Sequence, residues 1–130
     1  MNSQTTRGVI VTAMPQYLAD QSDPAQFRYV WAYHIIIHNE GAATVQLLTR
    51  YWHITDARGK VEEVRGPGVI GEQPVLRTGE AFRYSSGVHL GTPSGFMKGT
   101  YQMKLDTGEM FDAVVPTFSL DTPFGNGRPN

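Results

Sequence analysis

The sequence contains no cysteine. Thiol catalysis, a disulfide framework and a cysteine-based zinc site are thereby excluded together, and any metal would need histidine and carboxylate ligands. Net charge is nearly absent too: 11 lysines and arginines face 12 acidic residues, for a formal charge of −1. Such a balance generates no broad field to draw in a nucleic-acid duplex or an anionic membrane. No apolar run reaches bilayer-spanning length, and Met1 to Arg7 is polar, without an apolar core followed by a cleavage site. A soluble, cytoplasmic protein is expected. Sustained helical periodicity is also missing, which leaves an all-β chain.

What is present is a series of β-like runs separated by turn signals. At 130 residues the chain suits one domain with one core. The run Val9 to Ala13 is β-branched and ends near Pro15, as an edge strand would. The longest run, Phe27 to His38, alternates so that Phe27, Tyr29, Trp31, Tyr33, Ile35 and Ile37 form one apolar face. Val45 to Thr55 is a second long strand, and Asp56-Ala57-Arg58-Gly59 turns it back into Lys60 to Val64. Val75 to Arg77, Ala81 to Leu90, and a hairpin from Phe96 to Leu120 turning at Asp106-Thr107-Gly108 complete the series. Seven or eight short strands in one small domain predict an antiparallel β-sandwich of immunoglobulin or fibronectin-III type, with a closed barrel as the alternative. The expected boundaries are a disordered N-terminus over 1–7, the sandwich over 8–122, and a disordered glycine- and proline-rich tail over 123–130.

The stretch Gly66-Pro67-Gly68-Val69-Ile70-Gly71-Glu72-Gln73-Pro74 spells G-x-G-x-x-G. A dinucleotide loop of that spelling needs a strand before it and a helix after it, whereas β-like runs flank this one on both sides. Gly66, Gly68 and Gly71 are nevertheless candidates for a phosphate-binding nest, since glycine lets successive N–H groups turn inward. Arg65, Arg77 and Lys60 are the nearby positive charges. Pro67 removes one donor, Glu72 adds negative charge, and no helix dipole assists. The plainer alternative is an inter-strand connection whose glycines serve local geometry.

Other candidates are weaker. His34 and His38 share a strand face but lie about 13 Å apart along it, too far to share a metal directly. His53 and His89 could join either one only through the fold, so no metal site is assigned. Ser85-Ser86-Gly87 lacks a nucleophile elbow, and Glu62 and Glu63 face opposite ways. No catalytic residue and no cofactor are assigned. The aromatics Trp31, Trp52, Tyr29, Tyr33, Tyr51, Phe82 and Tyr84 exceed what one face per strand hides, which points to a partner-binding or self-association surface, or to strands covered on both faces. Arg50 is placed to stack on Trp52.

The runs Val45 to Asp56, Glu63 to Pro74, Gly79 to Gly87 and Thr92 to Met103, with Phe111 and Val115 to Leu120, resemble the ApaG family across about Gly8 to Leu120. The resemblance implies a fibronectin-III-like sandwich and no agreed catalytic residues. Bacterial relatives have no settled activity; their genes tend to neighbour one for a diadenosine tetraphosphate hydrolase, and they are linked to cobalt and magnesium tolerance. Related domains occur as modules in F-box proteins and in a partner of DNA polymerase delta, where protein binding is the natural role. The expectation is therefore a non-enzymatic binding or adaptor module. Polyphosphate or diadenosine-nucleotide binding at Gly66, Gly68 and Gly71 is the alternative, and a role in cobalt or magnesium homeostasis the second.

Overall fold

The computed structural model describes residues 2–123, and the tail expected over 123–130 lies, from residue 124 on, outside the described residues. Nine strands follow in chain order: β1 Asn2–Thr6, β2 Val9–Tyr17, β3 Tyr29–Asn39, β4 Val45–Asp56, β5 Val61–Pro67, β6 Val75–Leu76, β7 Ala81–Leu90, β8 Gly95–Leu105 and β9 Met110–Leu120. One sheet has the order β1-β2-β3-β7 and the other β5-β4-β8-β9, with β6 also paired to β4. Every pairing is antiparallel. The result is an all-β sandwich, as the strand count predicted, and not a closed barrel. No helix among the described residues is long and apolar enough to cross a membrane.

Period-two alternation builds the core. On β3, Tyr29, Trp31, Tyr33, Ile35 and Ile37 are all buried, and β-branched Val9 and Val11 lie beside them on β2. From the facing sheet come Leu47, Trp52, Met97, Tyr101, Met103, Phe118 and Leu120. Trp52 sits at the centre, with the Tyr33 ring 5.3 Å and the Phe118 ring 6.1 Å away, both edge-on. A glycine at 99 makes room for it, because a Cβ there would come within 2.9 Å of the indole.

Three expectations are corrected. Residues 2–6 are ordered as β1, paired from Asn2 to Thr6 against Ala13 to Val9. Their polar side chains hide the strand from a hydrophobicity reading. Pro15 does not end β2, which continues to Tyr17, and β2 is no edge strand but lies between β1 and β3; β1 covers only its first half, so the missing N–H of Pro15 falls where that side is open. Phe27 lies outside β3, in the left-handed region at φ 56° and 67% exposed, because a short 3₁₀ turn at Pro24–Gln26 precedes it.

Candidate functional site

β5 and β6 lie along the same edge of β4, and residues 68–74 form an excursion between them. The excursion begins where the register of β4 shifts between Leu47 and Thr49. This bulge at Leu48 turns its carbonyl outward. It accepts the Gly68 N–H at 2.8 Å and the Gln73 side-chain amide at 2.9 Å. Val69 and Glu72 exchange both backbone hydrogen bonds, at 2.9 and 2.8 Å. With φ of 43° at Ile70 and 80° at Gly71, these two residues form the centre of a type I′ turn.

Each candidate glycine has a steric role here. Gly66 faces Arg50 across the β4–β5 ladder, and a Cβ at 66 would lie 3.0 Å from both terminal guanidinium nitrogens. Because that space is free, Arg50 Nη1 reaches over Gly66 and donates to the carbonyls of Pro67 and Gly68, both at 3.0 Å. At Gly68, φ is 60° and a Cβ would lie 2.3 Å from the Glu72 carbonyl oxygen. Gly71 supplies the second positive φ of the turn. Of the N–H groups from 67 to 71, Pro67 has none, Gly68 donates to Leu48 and Val69 donates to Glu72, while among the described residues those of Ile70 and Gly71, at the centre of the turn, donate to no backbone acceptor.

The charges expected around the loop lie elsewhere. Arg65 stacks on Tyr51, its guanidinium carbon 4.6 Å from the ring centroid. Arg77 pairs with Glu80, and Lys60 belongs to the far hairpin, where its N–H donates to Asp56. Arg50, which was expected on Trp52, is the cation that holds the loop. Tyr51 also donates to Glu63 at 2.6 Å, a bond that holds the Glu63 carboxyl below its usual range. Beside this pair, a groove of about 630 Å³ runs over the outer face of the second sheet, lined by Thr49, Arg65, Gln102 and Asp112 among others.

Below Arg50 lie three tyrosines. The Tyr84 and Tyr101 hydroxyls are 2.5 Å apart across the two sheets, with Tyr33 nearby. Burial pushes all three phenols up, an effect the Arg50 charge partly offsets.

The aromatic surplus is mostly interior: Trp31, Trp52, Tyr29, Tyr33 and Tyr84 are buried, and Phe82 packs at the core margin. Of that group, Tyr51 lies on an outer face. The exposed apolar groups are different ones, including Ile70 at 58%. Its neighbour Val69 is fully buried, so the turn is anchored on one side and presents Ile70 on the other. The histidines do not converge. His34 is held by Ser85 at 2.6 Å and Gln16 at 2.9 Å, and His38 lies 3.5 Å from Glu40. Among the described residues no three histidine, aspartate or glutamate side chains gather to hold a metal ion.

The two residues that organise this site, Arg50 and Ile70, were not among those singled out for it. The contact made by Arg50 depends on a bulge. The one signal for Ile70 was the tetrapeptide Val69-Ile70-Gly71-Glu72, where glycine at the third place permits a type I′ turn.

A model of the ApaG domain matches residues 19–105. Protein ApaG of Rhodospirillum centenum is 61% identical over 130 residues, covering all of both chains. Protein ApaG of Paramagnetospirillum magneticum is 57% identical over the same span. Among solved structures, a Bordetella pertussis crystal structure named for ApaA superposes with a TM-score of 0.87 at 44% identity, covering 88% of this chain and 94% of that one.

Proposed function

The chain belongs to the ApaG family, and we propose that it acts as a non-enzymatic binding module whose contact point for a protein partner is the Ile70 turn. The observation that carries this reading is the backbone of Ile70. A β-branched residue at φ 43° is an outlier, costing about 1–2 kcal/mol relative to an unstrained conformation. Type I′ turns favour asparagine, aspartate or glycine at that position. Here an apolar side chain stands there instead, 58% exposed and fixed by Val69, Gly71 and Arg50. Strain retained at an exposed apolar tip supports a contact role for it, and at Ile70, unlike the equally left-handed Phe27, the neighbouring residue Val69 is fully buried and anchors the turn.

The polyphosphate reading of Gly66, Gly68 and Gly71 has less behind it, because the Gly68 and Val69 donors are used within the protein. The test is photo-crosslinking in cells of the source organism from a benzophenone side chain at position 72, at the end of the turn, with Ile70 intact or replaced by Asn. The account expects a reproducible adduct with Ile70 that disappears with Asn. Adducts of equal yield from both proteins, or none from either, would remove the proposal.

A further inference from the structure

We propose that β7 is a self-association edge, pairing antiparallel with β7 of a second copy so that the four-stranded sheets join into one of eight strands.

The sheet edges are protected unequally. An open edge strand exposes a row of backbone donors and acceptors, and proteins blunt it with charge, proline or a cover. β5 carries Glu62, Glu63, Arg65 and a terminal Pro67. β1 and β9 cover each other: the Asn2 amide donates to the Thr117 carbonyl at 3.2 Å, and the Val114 N–H to the Thr6 hydroxyl at 3.1 Å. β7 has no proline and no cover, and its one permanent charge is Arg83. Its ten residues contain no proline, lysine or acid and no register shift, and its one ladder is with β3. Among the described residues no further backbone bond involves Ala81 to Leu90.

The occupant follows from the strand's self-complementarity. Side chains keep to their own face of a continuous sheet, so a two-fold axis must pass through a residue. With the axis at Ser85, Phe82 lies opposite the partner's Val88 on the core side, where both are half-buried and gain apolar cover. On the outer face Arg83 meets the partner's Gly87, and Ser85 meets its own copy. A shift to an axis at Ser86 would set Arg83 against the ring of the partner's His89, and Phe82 against the partner's Leu90, which is already buried and has little cover to gain. The packing of the two faces therefore selects Ser85. Such a ladder, about 30 Å long, reaches only the low end of specific interface sizes, about 1,000 Å². Weak, concentration-dependent dimerisation follows, with a Kd on the order of 10 μM.

This goes beyond the partner reading of Ile70, which lies in the excursion between β5 and β6 and is not a residue of β7. Sedimentation equilibrium up to about 1 mM protein (a hundred times that Kd) tests it on wild type, Ser85→Lys, Ser85→Glu, their equimolar mixture and Ile70→Asn. Like charges at the axis are expected to raise the Kd at least about tenfold in either position-85 variant alone. The mixture recovers a dimer, and Ile70→Asn dimerises as wild type does. Circular dichroism confirms that each variant is folded. A wild type that stays monomeric throughout the range, whether or not the edge takes a foreign strand, overturns the proposal. So does a Ser85→Lys protein that dimerises as well as wild type, or a mixture that remains monomeric.

Discussion

Gly66 gives Arg50 its path: a Cβ at 66 would lie 3.0 Å from the guanidinium nitrogens that hold the carbonyls of Pro67 and Gly68. The first glycine of the motif is thus half of a contact whose other half lies sixteen positions earlier. That pairing is directly testable. Arg50→Ala is expected to cost about 1.5–3 kcal/mol through lost charged hydrogen bonds, and Gly66→Ala about 1 kcal/mol through displacement of the guanidinium. The double variant should be less destabilised than their sum, since the crowding at 66 vanishes once Arg50 is gone. Urea denaturation of all four proteins reads the coupling.

The glycines should also rank by what surrounds them. At Gly68 a Cβ would meet the Glu72 backbone at 2.3 Å, and φ is 60°, so both space and conformation oppose a side chain. Gly68→Ala is expected to cost about 3 kcal/mol or more. It should exceed Gly66→Ala in the same urea series, because a backbone carbonyl yields less than the end of an arginine.

Ile70→Asn should stabilise the fold. Asparagine tolerates the left-handed region, so relief of the strain at φ 43° is worth about 1 kcal/mol. A higher urea midpoint with an unchanged slope is the expected signature. The same substitution is expected to abolish partner binding, which would separate stability from function at a single residue.

How far the sequence reading reached follows from the range of the interactions. β3 was legible because Tyr29, Trp31, Tyr33, Ile35 and Ile37 alternate without interruption, and the periodicity is local. β1 was not, because Asn2 to Thr6 are polar and become a strand only by pairing with Val9 to Ala13. At the site, the glycine spacing was plain, but spacing says nothing of where N–H groups are directed. That depends on the Leu48 bulge, a property of pairing β4 with β8, and on Arg50 reaching across a ladder. Of the two readings the aromatic count allowed, cover on both faces holds for Trp31 and Trp52, which are swallowed by the sandwich, and the apolar side chain at the tip of the glycine turn is the aliphatic Ile70.

Asn39 illustrates a buried polar residue that ties loops together. Fully inaccessible, it donates to the carbonyls of Ala43 and Leu76 at 2.8 and 2.9 Å and accepts the Gly41 N–H at 2.9 Å. Asn39→Ala leaves those backbone groups without partners and should cost about 3 kcal/mol or more. A thermal melt or the urea midpoint checks it.

The buried tyrosines set the alkaline limit. Their phenols are raised in the folded protein, chiefly by burial, so the unfolded chain releases those protons at lower pH than the native one does. Stability from this source is complete below the unfolded value, about 10, and is lost as pH rises toward the folded values. Phenolate absorbance of Tyr33, Tyr84 and Tyr101 should therefore emerge together with unfolding. Tyr84→Phe with Tyr101→Phe should shift that transition to higher pH.

Gly66 to Gly71 form an Arg50-held turn presenting Ile70, with the Gly68 and Val69 amides already committed. Titration of ¹⁵N-labelled protein with inorganic pyrophosphate, followed by amide chemical shifts, tests this arrangement most directly. The account predicts that the amides of Gly68 and Val69 do not move through a large excess of the anion. A saturable shift confined to residues 66 to 71 would contradict it.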